Sequence, residues 1–568
     1  MRQKNNKTAL LWDLALAKKV WRGILVLSVF GIGYSVLGAS FALASKNVID
    51  TAVAMASGET AGNLIEASLV LVGLILLQLG MQIVVSELTV RVNGKLNIKC
   101  KRRLFSALIH KEAACVFRYH SGELLNRLTG DISVVTNAIS SLIPDLIHYV
   151  TRAAVSFGVL FVLDKWFSLI CLAALPIVLI AARLYRKKMK NLHKRVQESD
   201  GKTRSFMQES LANLLVIKSF GSETRVTERA TALQTENFHL SLKRAHISIL
   251  SNIVFFIAMT AGYYFALAWG AFRLSRGLMS FGSLTAILQL VEQLQSPFRS
   301  LSSLLPQYYA MTASTERLLE LENLPEENLQ QNDFDRSEAY RNAEWFCAEH
   351  VTFSYEGKKV LDDVSFRLHK GDFAAVTGLS GAGKSTLLKL FLGIMEPEQG
   401  EIFLLGKSGE KLLLGAETRA LFAYVPQGNL ILSGTIRENI AFAKESASEE
   451  EIISAAKHAE IWEEIQKLPQ GLDTVLGEGG TGLSEGQVQR LAIARALLYD
   501  APVLLLDECT SALDEKTEKA VLENLIAMQS KTCLTVSHKA AAKECCNVNF
   551  YVENGKIYQL EKYDKTTG

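Results

Sequence analysis

The sequence predicts a polytopic α-helical membrane domain, six transmembrane helices with long cytoplasmic extensions, followed by an α/β domain. Long apolar runs recur up to about Ser303, and dense basic clusters lie between some of them. From about Glu344, short β-rich runs alternate with helical stretches, as expected of strands and helices packed in layers. The expected limits are 1–321 for the membrane domain with two helical arm pairs, 322–343 for an acidic linker carrying Pro325, and 344–568 for the α/β domain. Of 568 residues, 49% are hydrophobic and 21% charged, which excludes a disordered chain. A net charge of +3 lacks the basic excess of a dedicated nucleic-acid binder, so no nucleic-acid partner is expected. Eight cysteines with no CxxC pair point to free thiols rather than a disulfide scaffold or a zinc site.

The spans follow in order. Gly23–Ser45 holds 23 residues and Ala67–Ser86 holds 20, both without a charge. Each is long enough as a helix to cross roughly 30 Å of hydrocarbon. The region Ala153–Ala182 is interrupted by Asp164-Lys165, and basic clusters flank it on both sides: Arg91 to Arg103 before, Arg183 to Arg195 after. Positive loops stay cytoplasmic, so both flanks lie on one side and the region must be two spans with a hairpin at Asp164. Ile247–Phe272 and Leu278–Leu294 complete six, with both termini cytoplasmic. Ala42-Leu43-Ala44 imitates a signal-peptidase site, but cleavage would leave five spans and an orientation conflict, so the first span is retained. The segment before it, with Trp12 and Trp21, reads as an interfacial helix. The cytoplasmic stretches 87–145 and 183–246 are longer than loops require, and each reads as a pair of helical arms.

In the second half, the apolar strand Phe373–Thr377 leads into Gly378-Leu-Ser-Gly-Ala-Gly383-Lys384-Ser385-Thr386, and a helix follows. This is a P-loop in its strand–loop–helix setting. Its backbone N–H groups, at Gly378, Ser380, Gly381 and Gly383 through Thr386, are expected to surround the phosphates of ATP. Lys384 would reach the β- and γ-phosphates, and Ser385 would offer a hydroxyl to Mg²⁺. A second apolar strand, Val503–Leu506, ends in Asp507 and Glu508. Asp507 is expected to hold Mg²⁺ and Glu508 to polarise the attacking water.

Between these motifs lies Leu483-Ser484-Glu485-Gly486-Gln487, which resembles the signature sequence of the ABC ATPases. With Gly122–Asp131 and Ala313–Leu318, the whole chain resembles a half-size ABC transporter of the exporter type. The resemblance implies an ATPase that drives transport by alternating access, with ATP and Mg²⁺ as cofactors. It also implies that Tyr355 stacks on adenine, Gln427 touches Mg²⁺ and water, and His538 contacts the γ-phosphate. Ser484, Gly486 and Gln487 would complete the ATP site of a partner, and Asp514 in the D-loop Ser511–Asp514 would sit at the dimer interface.

Two departures stand out. Glu485 replaces the usual second glycine, an awkward charge beside a helix N-terminus meant for phosphate. In Gly477-Glu478-Gly479-Gly480, glycine follows the glutamate where related exporters often carry arginine. Cys509, directly after Glu508, reads as a packing residue.

The expected partner is a second half-transporter. Retention of Glu508 and His538 favours a homodimer over a heterodimer, since heterodimeric relatives often lose the glutamate in one half. The expected location is a bacterial cytoplasmic membrane, among its lipids. The cargo is open between small molecule, lipid and peptide, and uptake of a metal-chelate ligand is the alternative. Gln289, Glu292, Gln293, Ser296, Ser300 and Ser303 lie at helical spacing in the last span. An ionisable residue there suggests function: Glu292 either meets a cationic cargo or pairs with Arg152 or Arg299.

Overall fold

A computed structural model describes residues 2–58, 63–327, 334–355, 357–428, 431–477, 480, 482–528 and 531–560. The chain divides into two compact units, Met1–Ser106 with Ser121–Asn323, and Ala107–His120 with Leu324–Gly568.

The first unit is helical. Helix α1 (Arg2–Lys19) leads into α2 (Trp21–Ala56) and α3 (Leu64–Ile109). After α4 (Ala113–Val116), which belongs mainly to the second unit, α5 (Ser121–Asn126) and a π-helical turn at Arg127–Asp131 run into α6 (Ile132–Leu163). Helices α7 (Lys165–Ala212), α8 (Leu214–Ser219), α9 (Glu223–Ser275) and α10 (Phe281–Glu322) follow. Helices α2, α3, α6, α7, α9 and α10 are the six long ones among the described residues. At 46 residues α3 extends about 70 Å, well beyond a bilayer's hydrocarbon. Trp21–Ala56, Leu64–Ile109 and Ser121–Leu163 meet both the length and the apolarity of a membrane span among the described residues.

The Asp164 hairpin forms. Asp164 leaves the helical conformation (φ −151°) and caps α7 by accepting from Phe167 N at 3.1 Å. Its buried carboxylate also accepts from Trp269 Nε1 at 3.0 Å and pairs with Arg273 at 2.8 Å, both on α9. The run expected to span from Leu278 starts instead at Phe281. Gly277 turns the chain at φ +70°, and Ser280 and Asp50 cap the new helix by accepting from Ser283 N and Gly282 N.

Two motif segments of no obvious local role meet in this unit. Asp131 accepts from Ser314 at 2.9 Å and pairs with Arg317, and Arg127 bonds Glu320 at 3.0 Å and Glu123 at 2.7 Å. Buried Asp13 of α1 accepts from Thr315 at 2.8 Å, while Trp12 donates to Glu322, which also pairs with Arg103.

The second unit is α/β. The expected linker 322–343 is not uniform: its end forms α11 (Arg336–Asn342), capped by Asp335 through Ser337 N at 2.8 Å. A polar, surface helix of this length leaves no apolar periodicity in the sequence. An antiparallel sheet has the order β2-β1-β4-β5, with β1 (Ala343–Tyr355), β2 (Lys358–His369), β4 (Gln399–Gly406) and β5 (Lys411–Leu413). A second sheet has the order β12-β11-β3-β10-β9-β6. It comprises β3 (Phe373–Gly378), β6 (Phe422–Val425), β9 (Val503–Asp507), β10 (Thr532–Val536), β11 (Val548–Glu553) and β12 (Lys556–Leu560), parallel except for β12. Its strands alternate between two cores: Leu504 and Leu506 enter one, Val503 and Leu505 the other. Burial on both faces explains why these strands read as continuous apolar runs.

Candidate functional site

The carboxyl ends of four neighbouring parallel strands, β3, β10, β9 and β6, converge, which is where open α/β sheets bind ligands. The P-loop leaves β3 and enters α12 (Lys384–Phe391). Two of its glycines are required by geometry. Gly378 has φ +143°, and a Cβ there would stand 2.1 Å from the Val552 carbonyl oxygen. Gly383, at φ +102°, lies against Val360 and Leu361 and caps α12. The loop places Ser380 and Gly381 at the surface and Thr386 inside the fold. Buried Lys384 turns its Nζ onto the carbonyls of Gly378 (3.0 Å) and Leu379 (2.9 Å). Burial holds its ammonium below the ordinary lysine range, against the opposing pull of Glu508 and Asp507.

Asp507 closes β9 with its side chain buried. It accepts from Ser385 Oγ at 2.9 Å and from Tyr424 Oη at 3.2 Å. Burial raises its carboxyl above the usual range, and these two hydrogen bonds oppose that. Glu508 follows at φ +50°, an uncommon conformation for a side-chain-bearing residue, and its N–H is held by the Val536 carbonyl at 3.0 Å. Gln427 Nε2, beyond β6, donates to Glu508 Oε2 at 2.6 Å, and His538 Nε2, beyond β10, lies 3.2 Å from Glu508 Oε1. The two ends of the Glu508 carboxylate are therefore fixed from neighbouring strands.

The Ser385 hydroxyl, the Asp507 carboxylate and the Gln427 amide oxygen are hard oxygen donors. That set suits Mg²⁺ bound together with phosphate oxygens rather than a cage made by protein alone. No group of three or more His, Cys, Asp or Glu side chains able to hold a metal occurs among the described residues, in keeping with this.

The remaining expected residues form other groupings. Tyr355, partly exposed at the end of β1, sits edge-on to Phe353 and touches Met395. Helix α13 (Ile436–Ile440), α14 (Glu449–His458), α15 (Trp462–Lys467) and α16 (Glu485–Tyr499) precede β9. Ser484 and Gln487 make a reciprocal cap at the start of α16: Ser484 N donates to Gln487 Oε1 at 2.8 Å, and Gln487 N to Ser484 Oγ at 3.3 Å. Gly486 packs against the D-loop, where an added Cβ would stand 3.0 Å from the Ala512 carbonyl oxygen. Asp514 caps α17 (Glu515–Ala527) through Thr517 N. These contacts bind the signature to the D-loop of the same chain, away from the P-loop. Glu485 is exposed; Glu478 and Gly479 lie outside the described residues. Cys509 is buried, which pushes its thiol up to about 12 and suits a packing role.

Three residues escaped the sequence reading. Tyr424 orients Asp507, Gln489 ties the D-loop by donating to Ser511 at 2.9 Å and accepting from Ala512 N, and Lys539 anchors the same loop on the Thr510 and Leu513 carbonyls. Gln489, a polar residue at a buried position of α16, was the available signal, and Tyr424 carried none beyond that of an ordinary strand aromatic.

In α10 the polar stripe divides. Gln293 turns into the bundle and donates to the Gly38 carbonyl at 2.8 Å, and Gln295 donates to that of Met259 at 3.0 Å. Glu292 is exposed and forms no ion pair with Arg152 among the described residues. The side chains of Arg299 and Ser303 lie outside them.

Residues 24–298 match the family described as ABC transporter transmembrane region, and residues 361–511 match the one described as ABC transporter. The chain is 31% identical over 479 residues to an ATP-dependent lipid A-core flippase of Vibrio cholerae, covering 83% of this chain and 81% of that protein. A protein of the same name from Pasteurella multocida is 33% identical over 477 residues, 82% of this chain and 80% of the relative. The solved structure of a bacterial Atm1-family ABC exporter with ATP bound has the same fold, with a TM-score of 0.77 at 24% identity, covering 96% and 95% of the two chains.

Proposed function

The chain belongs to the ABC transporter family, as a half-transporter and ATP-driven exporter, and from that premise we propose how its residues divide the work. The P-loop from Gly378 to Thr386 holds the phosphates of ATP, with Lys384 as their counter-charge. Tyr355 stacks on adenine. Glu508 orients the attacking water, and Gln427 and His538 hold its carboxylate in place. Ser385, Asp507 and Gln427 would hold Mg²⁺, which when bound supplies charge neutralisation on the phosphates. The observation that carries this reading is the grip of Gln427 and His538 on the two oxygens of Glu508, whose strand β9 is separated from the P-loop strand β3 by β10 alone.

Ser484, Gly486 and Gln487 serve the ATP site of a second copy, with the D-loop, Asp514 included, at the interface. Within one chain Ser484 and Gln487 cap each other and Gly486 packs on the D-loop, which supports a role for these residues towards a partner's site. Helix α8 and its flanks also expose Leu214, Leu215 and Phe220, an apolar tip that suits docking on the partner. With Glu508 and His538 both in place, two copies make two competent sites, and the assembly is a homodimer. ATP binding favours one closed state of the pair, which shifts the membrane halves between their access states.

The limits 1–321, 322–343 and 344–568 describe the working parts. The basic flanks of the third and fourth spans place the arms, both termini and the ATPase domain in the cytoplasm, at the inner membrane of a bacterium. The flippases to which the chain is similar suggest an amphipathic, lipid-like cargo. Glu508→Gln tests the assignment: nucleotide should bind as in the wild type while turnover nearly vanishes. Hydrolysis at near the wild-type rate would remove Glu508 from its role.

A further inference from the structure

Between α2, α3 and α6 lies a cavity of about 280 Å³ whose lining includes Tyr34, Gln82, Thr89, Ser140, Asp145 and His148. Asp145 is half-buried, and the one group recorded as interacting with its carboxylate among the described residues is His148. His148, one turn further along α6, has Nδ1 3.0 Å from the Gly31 carbonyl oxygen. The same Nδ1 lies 3.0 Å from Ser35 Oγ, so α2 holds the ring through that one nitrogen. Tyr34 meets this imidazole edge-on at 5.8 Å between centroids. Pro144, also in the wall, has no N–H to give the Ser140 carbonyl, which adds another acceptor. No Lys or Arg lines the cavity among the described residues.

The cavity thus combines a carboxylate with no Lys or Arg beside it, the side-chain oxygens of Gln82, Thr89 and Ser140, and the Tyr34 ring, a combination that suits an ammonium group through charge, three N–H donors and the aromatic contact. Its depth fits an amphipath. Asp145 precedes the Asp164 hairpin by nineteen residues of chain, nearly all in α6, or about 28 Å of helix. That distance is close to the hydrocarbon thickness, so the cavity lies near the headgroup level of the leaflet on the arm side.

We propose that the α2–α3–α6 cavity binds the primary ammonium head of an amphipathic amine, with Asp145 as its counter-charge and the side-chain oxygens of Gln82, Thr89 and Ser140 around it. Naming this amine as cargo rests on the export reading; the site itself does not, because its occupancy can be measured without nucleotide.

The test is equilibrium binding of tritiated octylammonium to the full-length protein in phosphatidylcholine nanodiscs, against empty discs, with octanol as the neutral competitor. The wild type should bind octylammonium and be little affected by octanol. Asp145→Asn should weaken binding about tenfold or more, the loss expected when a charge-assisted contact goes. Asp145→Glu, which restores the charge, should bind close to the wild type, and thermal unfolding of both variants separates lost binding from lost folding. Binding by a folded Asp145→Asn protein equal to the wild type would overturn the proposal, as would displacement by octanol as effective as by unlabelled octylammonium. Phosphatidylethanolamine nanodiscs distinguish the source of the amine. A lower apparent affinity there identifies a lipid headgroup as occupant, an unchanged one identifies a free amine, and both uphold an ammonium site. Failure of this site leaves the ATPase assignment intact, since Glu508→Gln tests that separately.

Discussion

At the residue scale, the proposed catalytic site rests on two adjacent carboxylates held in different surroundings. Asp507 is buried and held by Ser385 and Tyr424, whereas Glu508 is gripped at its two oxygens by Gln427 and His538. Tyr424 has no metal- or phosphate-binding role of its own. Its phenol, pushed up by burial and by the adjacent Asp507 charge, stays protonated and keeps donating. Tyr424→Phe should therefore act through Asp507. Loss of a hydrogen bond to a charged group is worth about 1.5–3 kcal/mol, so the Mg²⁺ concentration needed for half-maximal nucleotide binding should rise roughly tenfold. Titrating nucleotide binding against Mg²⁺ checks this, and an unchanged midpoint would reduce Tyr424 to packing. Asp507, Glu508, Gln427, His538 and the P-loop were all legible in the sequence, because each follows an apolar strand and matches a motif. Tyr424 was not, because a tyrosine in a buried strand looks like any other aromatic until its hydroxyl is seen to meet an acid.

At the element scale, the six long helices were readable from apolar run length and from the basic flanks. What joins the ends remote from the Asp164 hairpin was not. Asp131 with Arg317, Arg127 with Glu320, and Asp13 with Thr315 are pairings across 186 to 302 positions of sequence, beyond the reach of any local pattern. Nor was α11 legible, since a solvated helix carries no apolar stripe. Helix α1 shows the physical consequence of such a contact. Burial raises the Asp13 carboxyl from 3.8 to about 6, with the Thr315 hydrogen bond opposing. The folded state therefore holds this proton more tightly than the unfolded chain does. The stability this adds is fully present below about pH 4 and is lost as pH rises through about 6. Asp13→Asn keeps the acceptor for Thr315 and fixes the neutral form. Thermal unfolding in detergent at about pH 5 and about pH 7.5 should show a smaller decline for the variant than for the wild type. Equal declines would mean that Asp13 titrates alike in both states.

At the scale of the whole molecule, the sequence supplied a membrane domain joined to an ATPase, and the comparisons place that combination in a family of exporters. The cargo was the least legible part. The polar stripe in the last span suggested one binding face, yet Gln293 turns out to satisfy the Gly38 carbonyl inside the bundle, while Glu292 is exposed. Side-chain spacing gave the face of the helix but not what packs against it. The central claim is that ATP hydrolysis at Glu508 drives cargo away from the side bearing the ATPase domains. The most direct measurement uses inverted vesicles with ATP outside, following a fluorescent amphipathic amine and an acyl-labelled phosphatidylethanolamine in parallel. The account predicts ATP-dependent movement of at least one probe towards the lumen or the lumenal leaflet, absent in Glu508→Gln vesicles. ATP-driven movement in the opposite direction, or equal movement in the wild type and Glu508→Gln, would contradict it.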